Sequence, residues 1–366
     1  MPPQRLLIPG PVDMDDEVLS ALGSQAVPHY GPAWAAQYHE TAANLRALFR
    51  TGGDVYTLVG SGSTGLDAAV GSMLAPGQRL ALVRNGYFGN HLHAIAVANG
   101  IEVLSIEAPW GRAVRPEDVR AALDAAEPVH ALALVHAETS TGALNPARAI
   151  AAIGKERGLP VIVDAITALG GTELRVDEWG IDICVSAPQK ALAAPAGMGL
   201  VAVARSGWEY MDSHPVGPRG WYQDLRTWRT YAAQSPDFHP QLATVPTGTF
   251  AALALQTRRI LAQGVDAYIE RHARASRRFR AGAAAAGIEL LVPEAEATPQ
   301  VSAVVVPQGV DSNVALAALR EEHGFLAGGG LGELRGRIIR IGHMGKGASD
   351  EYVDAALVAL TDVLSA

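Results

Sequence analysis

Short, uniformly apolar runs recur along the first part of the chain, each followed by an alanine-rich stretch of helical character. The strand candidates are 55–59, 79–83, 102–106, 131–136 and 161–163, with a further pair at 183–186 and 199–203. Helical stretches lie between them at 66–74, 90–99, 116–126 and 146–157. Strand, helix, strand at this spacing implies parallel pairing with helices on both faces of one sheet. The runs are apolar throughout rather than alternating, as expected of strands covered on both faces. The expected fold class is α/β. From about Thr249 the texture changes. A long helical run over 251–287 precedes a strand at 301–306, a helix at 312–323, a glycine-rich turn, a strand at 337–341 and a last helix at 350–365. This reads as a smaller α+β unit. The expected organisation is an N-terminal arm (1–14), a large domain (15–255) and a small C-terminal domain (256–366), with no repeats and no low-complexity linker.

A net charge of −8 over 366 residues, without a Lys/Arg run, argues against a nucleic-acid surface. The arginine-rich stretch 271–278 reads as the solvated face of a helix. Cys184 is the one cysteine, so an intramolecular disulfide and a cysteine-cluster metal site are excluded. It sits in an apolar run and reads as a buried, inert thiol. The first residues do not form a secretory signal, and no segment is apolar enough to span a membrane, so a cytoplasmic location is expected.

The chemistry collects at the ends of the strand candidates. Gly60-Ser61-Gly62-Ser63-Thr64-Gly65 follows one strand and opens a helix. Its glycines let a ligand approach the backbone, and the helix start offers free N–H groups and the positive dipole end to an anion such as phosphate. No lysine follows, so it is not a P-loop, and the dinucleotide spacing is missing. Asp164 ends the run Val161-Ile162-Val163, where ligands of parallel sheets bind. A carboxylate there is a metal ligand, a nucleotide ligand, the partner of a cationic heterocycle or a helix N-cap. Tyr87 and Phe88 follow another strand end and offer rings for stacking or for the core. His136 reads as a hydrogen-bonded core residue, and Glu138-Thr139-Ser140-Thr141 supplies hydroxyls after it. Arg340 lies inside the apolar strand 337–341 and needs an anionic partner, either a ligand carboxylate or an internal acid.

Lysine occurs three times, at 155, 190 and 346. Only Lys190 follows an apolar run among small residues. It is either a snorkelling side chain or an amine of depressed pKa fit to form a Schiff base. A phosphate cradle, a stacking ring, a strand-end aspartate and a solitary lysine are together what pyridoxal 5′-phosphate requires. The aspartate keeps the pyridinium nitrogen protonated, the lysine anchors the cofactor and shuttles a proton, and Arg340 holds a substrate α-carboxylate.

In this order the motifs resemble those of the class V, fold-type I pyridoxal-phosphate aminotransferases, in the branch of the alanine–glyoxylate and serine–glyoxylate (serine–pyruvate) enzymes. The resemblance runs from Leu6-Leu7-Ile8-Pro9-Gly10-Pro11 through Gly60–Ser63, Glu138–Gly142, Val163-Asp164 and Gln189–Leu192 to Gly328–Gly332 and Arg340–Gly342. It implies a mostly parallel seven-stranded sheet between helices. It also implies a ping-pong transfer of an amino group from a small L-amino acid, alanine or serine, to a 2-oxo acid, glyoxylate or pyruvate. Carried over by position, Lys190 and Asp164 are the catalytic pair. Ser61, Gly62 and Ser63 bind the phosphate with Gln189, Phe88 stacks on one ring face and Ile166 on the other, and Thr139 sits near the phenolic oxygen. Gly10 and Arg340 match the substrate-carboxylate end. Thr244 matches a threonine that reaches the partner subunit's phosphate, which implies a homodimer with shared sites. Gln241 stands where relatives often carry a tyrosine with the same reach. His29-Tyr30 either lines the substrate entrance or packs on the surface. The resemblance also touches pyridoxamine–pyruvate and 2-aminoethylphosphonate transaminases and lyases of the class. Cysteine desulfurases fit poorly, because Cys184 lies in a strand and Gln189 precedes the lysine.

Overall fold

The computed structural model describes residues 4–217 and 220–364; residues 1–3 of the expected arm and Ser365 at the end of the expected last helix lie outside them. A seven-stranded sheet forms the centre, in the spatial order 54–59, 198–203, 183–186, 161–164, 131–135, 79–84, 102–107. Neighbouring strands are parallel except Met198–Val203, which runs antiparallel to both strands beside it. The exception comes from its connection. A parallel crossover needs a helix-length linker, whereas residues 187–197 form a tight loop that returns the chain directly. Lys190 sits on that loop.

Two apolar cores form on opposite faces of the sheet, with successive strand residues alternating between them. Ala81, Val83, Leu132, Leu134, Val161 and Val163 face one. Leu80, Leu82, Ala131, Ala133 and Ile162 face the other. This period of two, invisible in uniformly apolar strings, is the pleat itself.

A second, three-stranded antiparallel sheet joins Val301–Val305, Ile338–Gly342 and Gly328–Gly329. Its own core includes Phe279, Leu319, Ile339, Ile341 and Leu360, and Leu7 joins it from the N-terminal segment. Arg5–Leu6 pairs in parallel with Phe325–Leu326, and the Gly342 N–H donates to the Leu7 carbonyl (2.6 Å). A Cβ at Gly342 would lie 2.5 Å from the Ile8 carbonyl oxygen, so glycine is what lets the N-terminal segment lie against this strand. The helical run expected over 251–287 is two helices, Thr247–Gln263 and Val265–Ala285. Gly264, at φ 89°, breaks it in a backbone region that glycine enters without steric penalty. Arg274, Arg277 and Arg278 on the second helix are exposed and pair with Asp350, Glu270 and Asp354. Among the described residues no helix is long and apolar enough to cross a membrane.

Candidate active site

All the strands of the large sheet except Met198–Val203 point their C-terminal ends the same way, and the residues just past those ends build the site. Ser61–Ser63, Phe88, Thr139, Asp164 with Ile166, and Gln189 with Lys190 come from separate strand ends. Ser61, Gly62, Ser63 and the others, joined by His91 and Thr167, line one cavity of about 180 Å³.

Gly62–Met73 is a helix whose first turn faces the cavity. The Ser61 N–H donates to Thr64 Oγ1 (3.1 Å). The Thr64 N–H is taken by Ser61 (3.0 Å), so the Gly62 and Ser63 N–H groups and the helix dipole are what the helix start offers an anion. Ser63 Oγ pairs with His91 Nε2 at 2.9 Å. A Cβ on Gly62 would fall 2.4 Å from Ile166 Cδ1. Glycine there lets Ile166 close over the cradle, which ties the phosphate-type turn to the apolar wall of the cavity.

Asp164 is buried, and one of its oxygens accepts the Ile166 N–H (2.9 Å). Burial raises its pKa to about 7, with Glu138 pushing the same way and the Ile166 N–H and Lys190 opposing. Burial lowers the Lys190 amine to about 8, with Arg340 adding to the fall and Asp164 and Glu138 opposing it. Lys190 Nζ donates to the Pro9 carbonyl and lies 6.0 Å from the centroid of the Phe88 ring. Gly10 does not line the cavity but abuts the lysine. A Cβ there would stand 2.6 Å from Lys190 Cδ, and its φ of 112° favours glycine in any case. The N-terminal segment thus forms the seat of the lysine.

Arg340 is buried, and its charge is met by backbone carbonyls. Nε donates to Gly329 (2.9 Å) and Nη1 to Thr139 (3.2 Å). Among the described residues no carboxylate pairs with it, so the internal-acid alternative does not hold. Burial depresses its pKa to about 10. Arg340 is not among the residues that line the cavity but reaches it through Thr139, and Nη2 with the second Nη1 proton keeps a pair of donors of the kind that suits a carboxylate.

Three sets of groups here want partners: the N–H groups at the helix start, the free part of the Arg340 fork, and the Gln189 side-chain oxygen, which is buried and unpartnered. Asp164 wants a cation to restore its ordinary pKa. A planar ligand with an anionic arm and a protonated ring nitrogen meets the needs of the helix start and of Asp164, so the residues present fit pyridoxal phosphate.

The other candidates named from the sequence fall elsewhere. Thr244 is exposed and away from this cavity, 3.4 Å from His29 Nε2. Gln241 is fully buried with both ends engaged: its oxygen accepts the Trp34 indole N–H (2.8 Å) and its amide donates to the His29 carbonyl (2.5 Å). His29 and Tyr30 pack against His239 and Phe238 on the surface and do not reach the cavity. His136 is a core residue beside Trp179, its pKa lowered by burial to about 4. Cys184 is buried in the sheet, its thiol pushed well up by burial, which removes it from nucleophilic chemistry. Sequence reasoning passed over Glu138, whose burial at a strand end among hydroxyl residues is the signal that marks it.

Comparison with known proteins identifies the family. Residues 16–330 match the family model Aminotransferase class-V. The chain is 32% identical to an uncharacterized aminotransferase of Methanocaldococcus jannaschii, over 93% of this chain and 87% of that one. It is 31% identical to the pyridoxamine–pyruvate transaminase of Mesorhizobium japonicum, over 100% and 92%. The solved structure of an alanine–glyoxylate aminotransferase from Nostoc superimposes with a TM-score of 0.93 at 32% identity, covering 100% of this chain and 96% of that one.

Proposed function

This chain belongs to the class-V aminotransferases, and from that premise we propose that its donor is a small L-amino acid, alanine or serine, and its acceptor glyoxylate or pyruvate. The cofactor is pyridoxal 5′-phosphate. The observation that carries the reading is the placement of Arg340, whose free fork near Lys190 awaits a carboxylate. The names of the Nostoc and Mesorhizobium proteins, alanine–glyoxylate and pyridoxamine–pyruvate, support the acceptor class.

Bound in the cavity, the cofactor supplies a carbonyl that exchanges for the amine and a ring that takes up the electron pair left when Cα loses its proton. The first turn of the helix Gly62–Met73, with Ser61, Ser63 and Gln189, holds the phosphate. Phe88 and Ile166 would hold the ring between them, with Thr139 beside it. Asp164, ionised by a cationic ring nitrogen, keeps that nitrogen protonated. Lys190 anchors the cofactor. Its depressed pKa leaves a share of the amine neutral near physiological pH, able to take the Cα proton and return it one position along. Arg340 holds the α-carboxylate, which orients the Cα–H bond toward the lysine. Thr244 reaches the phosphate of the partner in a homodimer, and the enzyme works in the cytoplasm.

Lys190→Ala is the test. The wild-type protein, loaded with cofactor, carries a visible absorbance band that shifts on adding L-alanine or L-serine; the variant loses the band. An unchanged spectrum in the variant refutes the assignment. The pyridoxamine–pyruvate alternative has its own readout, turnover of pyridoxamine with pyruvate by cofactor-free protein. The phosphate-type cradle at Ser61–Ser63 favours the first reading.

A further inference from the structure

The helix Tyr87–Ala98 carries Phe88 over the cavity, yet its N-terminus has no side-chain cap of its own, because the capping position is Gly86. The first helical N–H groups need acceptors, and they find them across the chain. Tyr87 N–H donates to Ser140 Oγ (2.9 Å), Phe88 N–H to Glu138 Oε2 (3.1 Å) and Gly89 N–H to the same oxygen (3.0 Å). The other Glu138 oxygen accepts the Ser140 N–H (3.0 Å) and Ser140 Oγ (2.5 Å). Glu138 is wholly buried. Burial pushes its pKa up and the Ser140, Gly89 and Phe88 donors oppose the rise; every group bonded to it is a donor, which suits an acceptor-only carboxylate. It also faces the positive end of the helix dipole.

Thr139, the residue between these two, turns the other way. It lines the cavity, and its carbonyl accepts from Arg340 Nη1 (3.2 Å). The turn is held by the Thr141 and Gly142 N–H groups, both on the Glu138 carbonyl. One short turn therefore grips the helix that carries the Phe88 ring, lines the cavity with Thr139 and fixes the arginine.

We propose that Glu138 and Ser140 form a clamp that positions Phe88 on one side and, through Thr139, Arg340 on the other, so that cofactor seating and carboxylate binding are set by one element. Glu138 is a positioning residue, and the proposal rests on the cofactor reading above. Gly86 provides a second handle. Its φ of 176° is extended backbone open to any residue, but a Cβ would lie 2.4 Å from Glu138 Cγ and 2.6 Å from Ser140 Oγ. Gly86→Ala wedges the clamp without changing a charge or demanding strained backbone.

The experiment compares wild type, Glu138→Gln, Gly86→Ala, Phe88→Ala and the Glu138→Gln/Phe88→Ala double variant, all full length. Glu138→Gln sets an N–H₂ against donors and loses at least one cap bond. Amide hydrogen exchange at Phe88 and Gly89 accelerates at least tenfold in Glu138→Gln and Gly86→Ala, while exchange in the sheet strands stays at the wild-type rate. The dissociation constant for pyridoxal phosphate and the KM for the amino donor both rise in these two variants. The loss of cofactor affinity from Glu138→Gln disappears in the Phe88→Ala background, since its route to the ring is gone. Unchanged exchange at Phe88 and Gly89 overturns the clamp, and so does a loss of affinity that adds fully to that of Phe88→Ala. Failure of the wild-type protein to take up the cofactor refutes the proposed function instead, and the exchange readout stands apart from that result.

Discussion

Arg340→Lys separates charge from geometry at the carboxylate end of the site. In the wild type the Gly329 and Thr139 carbonyls take the Nε proton and one Nη1 proton of the guanidinium, and its terminal edge keeps the Nη2 protons and the other Nη1 proton. A carboxylate on that edge takes two parallel N–H bonds. Lysine keeps the positive charge but offers a single point donor on a shorter reach, so at least one of the two bonds is lost. A hydrogen bond to a charged group is worth about 1.5–3 kcal/mol. At 1.36 kcal/mol per tenfold, kcat/KM for L-alanine falls about 10- to 150-fold. Arg340→Gln removes the charge as well and loses about 2–5 kcal/mol, or about 30-fold to several thousandfold. The assay compares two reagents that capture the bound cofactor, aminooxyacetate, which carries a carboxylate, and methoxyamine, which does not. Wild type discriminates in favour of the first, and the advantage shrinks in Arg340→Lys and disappears in Arg340→Gln, while methoxyamine capture holds constant. Equal slowing of both reagents would refute the reasoning, because the arginine would then be supporting the cavity rather than reading the carboxylate.

Burial sets two further outcomes. Lys190 titrates at about 8 when folded, against 10.5 for an ordinary lysine amine. Between those values the unfolded chain holds a proton that the folded chain does not, so the cofactor-free wild type gains stability as pH rises through that window. Lys190→Met removes this penalty, about 3 kcal/mol at most, and loses about 1 kcal/mol with the Pro9 hydrogen bond. In chemical denaturation the cofactor-free variant is the more stable by about 2 kcal/mol at pH 7, and the gap narrows toward pH 10; a gap independent of pH contradicts the buried amine. Gln241→Ala leaves the Trp34 indole N–H and the His29 carbonyl without partners. It destabilises by about 2–3 kcal/mol with cofactor affinity unchanged, and a fall in affinity would show that position 241 serves the phosphate after all.

The parallel core of the fold was legible because it is local. Uniformly apolar runs such as Leu80–Val83 can be buried only between two layers, and Ala-rich stretches between them supply the layers. Two features were hidden. The reversal of Met198–Val203 depends on the loop 187–197, whose length limits the path but whose conformation no local pattern encodes. The break at Gly264 sits inside a helical pattern that tolerates an isolated glycine, and only the tertiary path decides that it takes positive φ. At the site, strand-end residues such as Asp164 and Lys190 announced themselves as polar groups after apolar runs. Glu138 carried the same mark, but its bonding partners lie about fifty residues away in the chain, so its task is visible only once the turn and the helix meet.

The same contrast explains why the site sits where it does. A packed interior tolerates buried titratable groups only when partners are supplied. Among the described residues the one other buried acid, Asp182, has them in Lys155, Ser206 and the Val161 N–H. Around the cavity the supply is incomplete. Glu138 is saturated with donors, which oppose the rise in its pKa that burial causes, and it holds the frame. Asp164 receives one backbone donor, Lys190 one carbonyl, and Arg340 two carbonyls. The saturated group fixes geometry, and the unsaturated groups carry the driving force for binding. A substitution that completed one of those shells from within the protein, such as an acid opposite the Arg340 fork, would stabilise the chain and remove its reason to take up a carboxylate.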